Sequence, residues 1–444
     1  MGSGSHKMGQ TCRMAARRVE FSLTMSTFDR RSFLLSATTA AQAAFGAAPS
    51  DRMRIAIVGV GSRGSAHINE ILPVSNVEIA ALVEVDGARA EAASQRIFQK
   101  TGKRPIIESD MRRVFDDKSI DAVTVATCNH WHALSGIWAM QAGKDVYVEK
   151  PVSHNIYEGR KLVETARKYN RVAAGGTQRR WWGRFRKAVE LLHGGAIGEV
   201  YQGNFFFPGN RDSIGFKPVK QPPANLNWDK WLGPAQMEPY HENLVHYNWH
   251  WFWNFGNGEL GNNGIHMIDI LRWGMQQKLP VAVRSTGGRF GYKDQAETPN
   301  TQNVTWTFAN GASIVGQLRG LYTKDPMSWD FYGTKGHLHM MADGQFTIRL
   351  GRSKVDEPTV ESPKNLDHFA NFADAVRARD PKLLHAEIEE TFLSTALCHL
   401  GNISHRLGRE LKFDPAAMHF VNDQEADALL TRPYRAPYVV PEKV

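Results

Sequence analysis

From Arg54 onward, apolar runs of strand length alternate with stretches of helical period. RIAIV (54–58) leads into the glycine-rich turn GVGSRG and then a helix. VEIAALVEVD (77–86) and AVTVAT (122–127) read as further buried strands, since short continuous apolar runs suit a sheet covered on both faces. DVYVEKP (145–151) follows the helical stretch ALSGIWAMQAGK, which Gly143 stops. GRKLVETARKYN (159–170) is another helix, followed by VAAGGTQ. Strands alternating with helices predict right-handed βαβ units and an α/β, doubly wound parallel sheet over residues 51–174.

The pattern changes after about residue 175. Longer, half-alternating strands appear at 200–207, 283–290, 303–320 and 328–341, and Asn310-Gly311 marks a hairpin turn. Helical stretches return at 366–379 and 386–408. Residues 175–444 are therefore expected to form an α+β domain with an antiparallel sheet.

Composition narrows the class. Hydrophobic residues make up 42% of the 444 positions and charged residues 22%, as in a soluble globular chain. The net charge is +9, of which the first 48 residues, with six basic and two acidic side chains, carry +4. The remaining +5 is dispersed and gives no reason to expect nucleic acid. Even RRWWGRFRK (179–187) reads better as the start of a helix than as a basic-aromatic patch. Three cysteines exclude a disulfide framework. Residues 1–50 read as an N-terminal extension that holds, from Met25, an address: Arg30-Arg31, then Phe33-Leu34-Leu35, then an Ala/Thr run with small residues near Ala47. This resembles a twin-arginine signal and predicts export to the periplasm, with no integral membrane segment once it is removed.

Candidate chemistry begins at the glycine turn. Gly59-x-Gly61-x-x-Gly64 follows a strand and opens a helix, with Ser62 and Arg63 completing the turn. Glu84 stands at the end of the next strand, 20 residues after Gly64. That spacing suits a dinucleotide: backbone approaches the pyrophosphate at a helix N-terminus, and the carboxylate accepts from the adenosine ribose. Glu84 would repel a 2′-phosphate, favouring NAD over NADP, while Arg63 could pair with such a phosphate. Lys150, in YVEKP, then falls at the carboxyl end of a buried strand, where ligands of such sheets sit. Beside a cationic nicotinamide its pKa should fall, so that it accepts a hydroxyl proton.

The glycine turn, ATCNHWHAL (126–134), YVEKP (147–151), GGTQRR (175–180) and GNGELGNNGIHMIDI (256–270) occur in that order. Together they resemble the Gfo/Idh/MocA oxidoreductases over roughly residues 52–440. The resemblance implies a Rossmann domain joined to a domain with an open antiparallel sheet, and oxidation or reduction of sugars, inositols and related polyols. It further implies that Lys150 binds the reacting hydroxyl and that His266 is the general acid/base. Asn129, His132 and Glu149 fall where the family lines the nicotinamide and its ribose, and Gln178 and Arg179 fall at the domain crossover. An aspartate common in the family is Asn262 here, which can orient a hydroxyl but not take its proton. Cys128 replaces a usual proline and reads as packing. His130 and His132 form a pair without further ligands at metal spacing, so no metal is expected. His241, His246 and His250 could complete such a site only by folding back.

Eight of the twelve tryptophans lie between 181 and 273. Trp251 and Trp253, just ahead of His266, suit stacking on a sugar ring, and Asp269 could cap a helix, orient His266 or touch substrate. The expected partner is thus a small sugar or glycoside, and the family's open sheet suggests a homo-oligomer. An exported enzyme has no NAD pool around it, so its cofactor would travel bound and be restored in place. Two chemistries allow that: coupled oxidation and reduction of two sugars, or transient oxidation that lets a glycosidic leaving group depart. A sugar- or NAD-binding module without catalysis is the non-enzymatic alternative.

Overall fold

The computed structural model describes residues 52–356 and 363–444; the expected extension and signal at 1–50 lie outside them. The first sheet consists of β1 (Met53–Val58), β2 (Val77–Val83), β3 (Ile106–Glu108), β4 (Ala122–Val125), β5 (Asp145–Val148) and β6 (Ala173–Gly175). Its order is β3-β2-β1-β4-β5-β6, and every pairing is parallel. β4 and β5 are buried throughout, which explains their unbroken apolar sequences. The strand order reverses between β1 and β4, so a crevice opens beyond their carboxyl ends.

The second sheet contains β7 (Val200–Pro208), β8 (Ala282–Gly288), β9 (Thr301–Thr307), β10 (Ser313–Arg319), β11 (Ser328–Gly333), β12 (Gly336–Met341), β13 (Phe346–Leu350), β14 (Ser353–Asp356), β15 (Leu411–Asp414) and β16 (His419–Phe420). The order is β14-β13-β12-β11-β7-β10-β9-β8-β15-β16. The Asn310-Gly311 turn joins β9 to β10 as expected, with Gly311 at φ +82°. Two expectations need correction. The stretch 328–341 is a hairpin, β11–β12, because the chain turns at Gly333–Gly336. The sheet is also not purely antiparallel, since β7 pairs in parallel with β10. That pairing is possible because a long excursion, residues 209–281, separates β7 from β8. Nearly all that the second sheet contributes to the crevice rides on this excursion.

One face of the second sheet packs on the helices Ile265–Gly274 and Ile388–Leu407. Trp329 and Trp306 are fully buried there, donating Nε1–H to the carbonyls of Met267 (3.1 Å) and Leu397 (2.9 Å). The helix Ile388–Leu407 also reaches the first sheet: Thr395 Oγ1 accepts from Val152 N at 3.3 Å, and an added Cβ at Gly175 would lie 2.4 Å from Thr391 Oγ1. It therefore steadies the loop that carries Lys150.

Candidate active site

The glycine turn closes through backbone contact. Gly59 adopts φ +83°, and a Cβ on Gly64 would stand 1.9 Å from the Gly59 carbonyl oxygen. At Gly61 the nearest protein atom to such a Cβ is Arg89 Nη1 at 3.8 Å, so protein packing does not require that glycine. The helix Ser62–Ile71 starts there with no side-chain cap and no acidic residue in its first turn. Its unpaired N–H groups face the crevice, and with the open flank of Gly61 they fit a pyrophosphate.

Glu84 accepts backbone N–H bonds from Val60 (2.9 Å), Val85 (2.8 Å) and Asp86 (3.1 Å). Burial raises its pKa, and those three donors oppose the rise. It borders the crevice and keeps acceptor capacity for ribose hydroxyls. Arg63 borders the crevice as well. Its Nε donates to Glu149 at 2.6 Å and its terminal nitrogens to Glu70 at 3.2 Å, so its charge is spent on carboxylates within the protein. The cation beside Gly61 is Arg89 instead.

Glu149 is buried and acts as a hub. It accepts from Arg63, from His67 Nε2 (3.0 Å), from Gln178 Nε2 (2.7 Å) and from the Lys150 amide (3.2 Å). Burial alone would raise its pKa, yet Arg63 and His67 hold it well below the usual carboxylate range. Lys150 is joined to Pro151 by a cis peptide and donates from Nζ to the Asn262 carbonyl at 2.6 Å. Burial lowers its pKa, against the opposing pull of Glu149. Asn262 thus meets the lysine through its main chain, within a π-helical turn, Leu260–Gly264, while its amide faces Glu259 at 3.4 Å.

His266 begins the next helical turn. Burial, then the charges of Lys150 and Arg179, hold its pKa well below 6.5, so the ring is neutral. Its buried Nδ1 has no partner among the described residues. Asn129 and His132 open the helix Asn129–Gln141 and border the crevice. The ring nitrogens of His132 lie 2.7 Å from the Pro151 carbonyl and 3.0 Å from the Thr127 carbonyl, and the ring, kept neutral by burial, donates to one of them. His130 turns Nε2 to the Trp231 carbonyl at 2.9 Å. Burial keeps Cys128 protonated.

Gln178 is engaged by Glu149, and Arg179 lies 4.6 Å over Trp329, flanked by Trp182 and Phe185. Burial lowers the Arg179 pKa to about 10. Three expected substrate residues stand elsewhere. Asp269 is buried in a two-pronged ion pair with Arg180, both bonds 2.8 Å, and also accepts from Ser394 at 2.7 Å. Trp251 packs under Arg211 and Trp253 under Arg406, and neither borders the crevice. Its aromatic wall comes from Trp131, Trp138, Trp231, Trp249 and Tyr438. His246, which the sequence offered only as a remote metal ligand, and Tyr247, which no motif marked, also border it.

The excursion is stitched to the first domain at the ribose end. Gly87 N donates to Asn225 O (2.9 Å), Asn227 N to Val85 O (2.9 Å) and Asn225 Nδ2 to Asp86 (2.7 Å). One continuous crevice therefore runs from Glu84 and Arg89 to Lys150 and Asn262.

Among curated proteins, a glycosyl hydrolase family 109 protein of Akkermansia muciniphila is 32% identical over 126 residues, 28% of this chain and 26% of its own length. The chain thus spans about a quarter of the length of the curated relatives it matches. Among solved structures, aldose-aldose oxidoreductase of Caulobacter crescentus superposes with a TM-score of 0.61 at 19% identity, covering 82% of this chain and all of that one. WlbA dehydrogenase of Bordetella pertussis, solved with NADH and UDP-GlcNAcA, gives 0.61 at 18% identity over 82% of this chain and 99% of that one. At such identities the likeness is one of fold. Family models extend further. Residues 53–177 match the NAD-binding Rossmann fold of the oxidoreductase family, and residues 199–440 match its C-terminal alpha/beta domain. With a glycine turn open to a pyrophosphate, a lysine at the end of β5 and both domains matched, the chain belongs to the Gfo/Idh/MocA oxidoreductase family.

Proposed function

We propose that the protein is an NAD-dependent oxidoreductase acting on a hydroxyl of a sugar or glycoside. The observation that carries this reading is Lys150, whose lowered pKa and hydrogen bond to a neutral acceptor leave its Nζ ready to take a proton. The nicotinamide, when bound, supplies the hydride acceptor. The uncapped helix at Ser62 and the flank of Gly61 would hold its diphosphate, and Glu84 its adenosine ribose. Lys150 Nζ takes the hydroxyl proton as that hydroxyl's carbon is oxidised to a carbonyl, and the Asn262 carbonyl keeps the amine aimed. His266, neutral and with an Nδ1 that has no partner among the described residues, shares the proton transfer. Glu84 and the occupied Arg63 favour NAD over NADP. Lys150→Ala should abolish nicotinamide reduction while nucleotide stays bound; undiminished activity would sink the assignment.

A redox-neutral glycosidase is the second reading, favoured by the 126-residue similarity to a glycosyl hydrolase family 109 protein. It requires release of nitrophenol from nitrophenyl glycosides with no net change in nicotinamide absorbance. Export through the twin-arginine pathway and assembly of a homo-oligomer belong to the same proposal. Recovery of the protein in the periplasmic fraction, lost when Arg30 and Arg31 are replaced by Lys, tests the first; sedimentation tests the second. A protein that binds sugar and never alters nicotinamide absorbance, with no glycoside cleaved, would be a binding module.

A further inference from the structure

The excursion lays a short segment along the crevice, where His246, Tyr247, Trp249 and His250 join Lys150 and Asn262 in its lining. His246 is directed to Asp86, with Nε2 3.3 Å from a carboxylate oxygen. His250 is held differently. Its ring stacks on Trp249, with centroids 3.6 Å apart and planes 19° from parallel. Its Nδ1 lies 2.5 Å from the Tyr247 carbonyl oxygen. A carbonyl oxygen only accepts, so Nδ1 carries the proton and Nε2 of the neutral ring presents a lone pair. No donor among the described residues meets that lone pair. Burial, opposed by the Tyr247 bond and assisted by Lys150 and Arg211, lowers the ring's pKa to about 3, so it stays neutral in ordinary buffers. A fixed, uncharged acceptor on the wall of a site already supplied with a proton-taking lysine suits a donor that is not the reacting group.

We propose that His250 Nε2 accepts a hydrogen bond from a second hydroxyl of the substrate, distinct from the one Lys150 deprotonates, and so selects polyhydroxylated substrates by a two-point grip. The inference rests on the oxidoreductase reading for its substrate class. Its test uses the full chain with NAD, methyl α-D-glucopyranoside, and the 2-, 3-, 4- and 6-deoxy analogues of that glycoside. Besides the analogue lacking the reacting hydroxyl, which is not oxidised at all, one further analogue should react more slowly than the parent. His250→Ala should lower kcat/KM for the parent about 10- to 100-fold, the range of one buried hydrogen bond, and leave that slow analogue unchanged. His250→Asn, which keeps an acceptor, should recover part of the discrimination. Equal losses on every oxidised analogue would overturn the assignment.

Binding of the same glycosides to Lys150→Ala protein, followed by tryptophan fluorescence, makes the test independent of turnover. Discrimination should persist there and vanish when His250→Ala is added. Discrimination in binding without turnover in the unmutated protein would sink the oxidoreductase reading and leave the role of His250 standing. Equal binding of all the glycosides, or of none, would overturn it.

Discussion

Lys150 and Glu149 are neighbours in sequence with opposite fates. The carboxylate is buried among donors and stays charged, while the amine is partly stripped of water and left with one carbonyl partner. Because the lysine's pKa is lowered from 10.5, the rate of alcohol oxidation should rise with pH along a limb centred below that value. A pH profile of kcat measures it, and a limb at or above 10.5 would contradict the assigned role. Replacing the lysine should cost about 100- to 10,000-fold in kcat, the usual span for a positioned acid or base. Asp269 predicts a change of another kind. Asp269→Asn leaves the buried Arg180 guanidinium only the half-exposed Glu390 carboxylate at 3.9 Å and should destabilise the fold by about 3 kcal/mol in urea titration. The same substitution should leave the KM for substrate unaltered in protein that remains folded.

The first βα turn offers a comparison between two glycines three residues apart. A methyl group on Gly64 would meet the Gly59 carbonyl oxygen at 1.9 Å, so Gly64→Ala must push the helix off β1. A methyl group on Gly61 meets nothing nearer than the end of a flexible arginine at 3.8 Å. Gly61→Ala should therefore keep the melting temperature and weaken NAD binding at least about 10-fold, since the methyl occupies space the diphosphate needs. Gly64→Ala should lower both. Calorimetric titration with NAD beside thermal melts separates the two, and unchanged affinity in Gly61→Ala would move the diphosphate elsewhere. The turn and the strands that flank it were legible in the sequence because glycine spacing and apolar runs are local signals. The β11–β12 hairpin was less so: its turn, Gly333–Gly336, interrupts a stretch whose alternation continues on both sides.

Across the whole molecule, buried histidines set the response to acid. Burial lowers the pKa of both His130 and His399 to about 3. Their folded values lie below the unfolded 6.5, so below that pH the unfolded chain takes up protons that the folded chain does not. Each should then remove about 1.4 kcal/mol of stability per pH unit as the solution is acidified below 6.5. Glu149, with its folded pKa depressed below 4.5, adds stability that is present above 4.5 and is lost as pH falls through the folded value. The urea midpoint should fall between pH 7 and about 5, and a flat profile would show that these rings find water or partners on protonation.

The sequence by itself determined the doubly wound sheet, the dinucleotide turn and the place of Lys150, because each depends on residues close together in the chain. It also carried the order of motifs that marks the family. The tertiary structure decided which partners those residues take. Arg63 could not be separated from a phosphate ligand until Glu149 and Glu70 were seen beside it. Asp269 and Arg180 stand 89 positions apart, and no periodicity links them. The tryptophans near His266 looked suited to sugar, yet the fold covers Trp251 and Trp253 with arginines and lines the crevice with Trp131, Trp231 and Trp249. That choice belongs to the path of the excursion between β7 and β8. Long-range packing, which a local pattern does not encode, fixes that path.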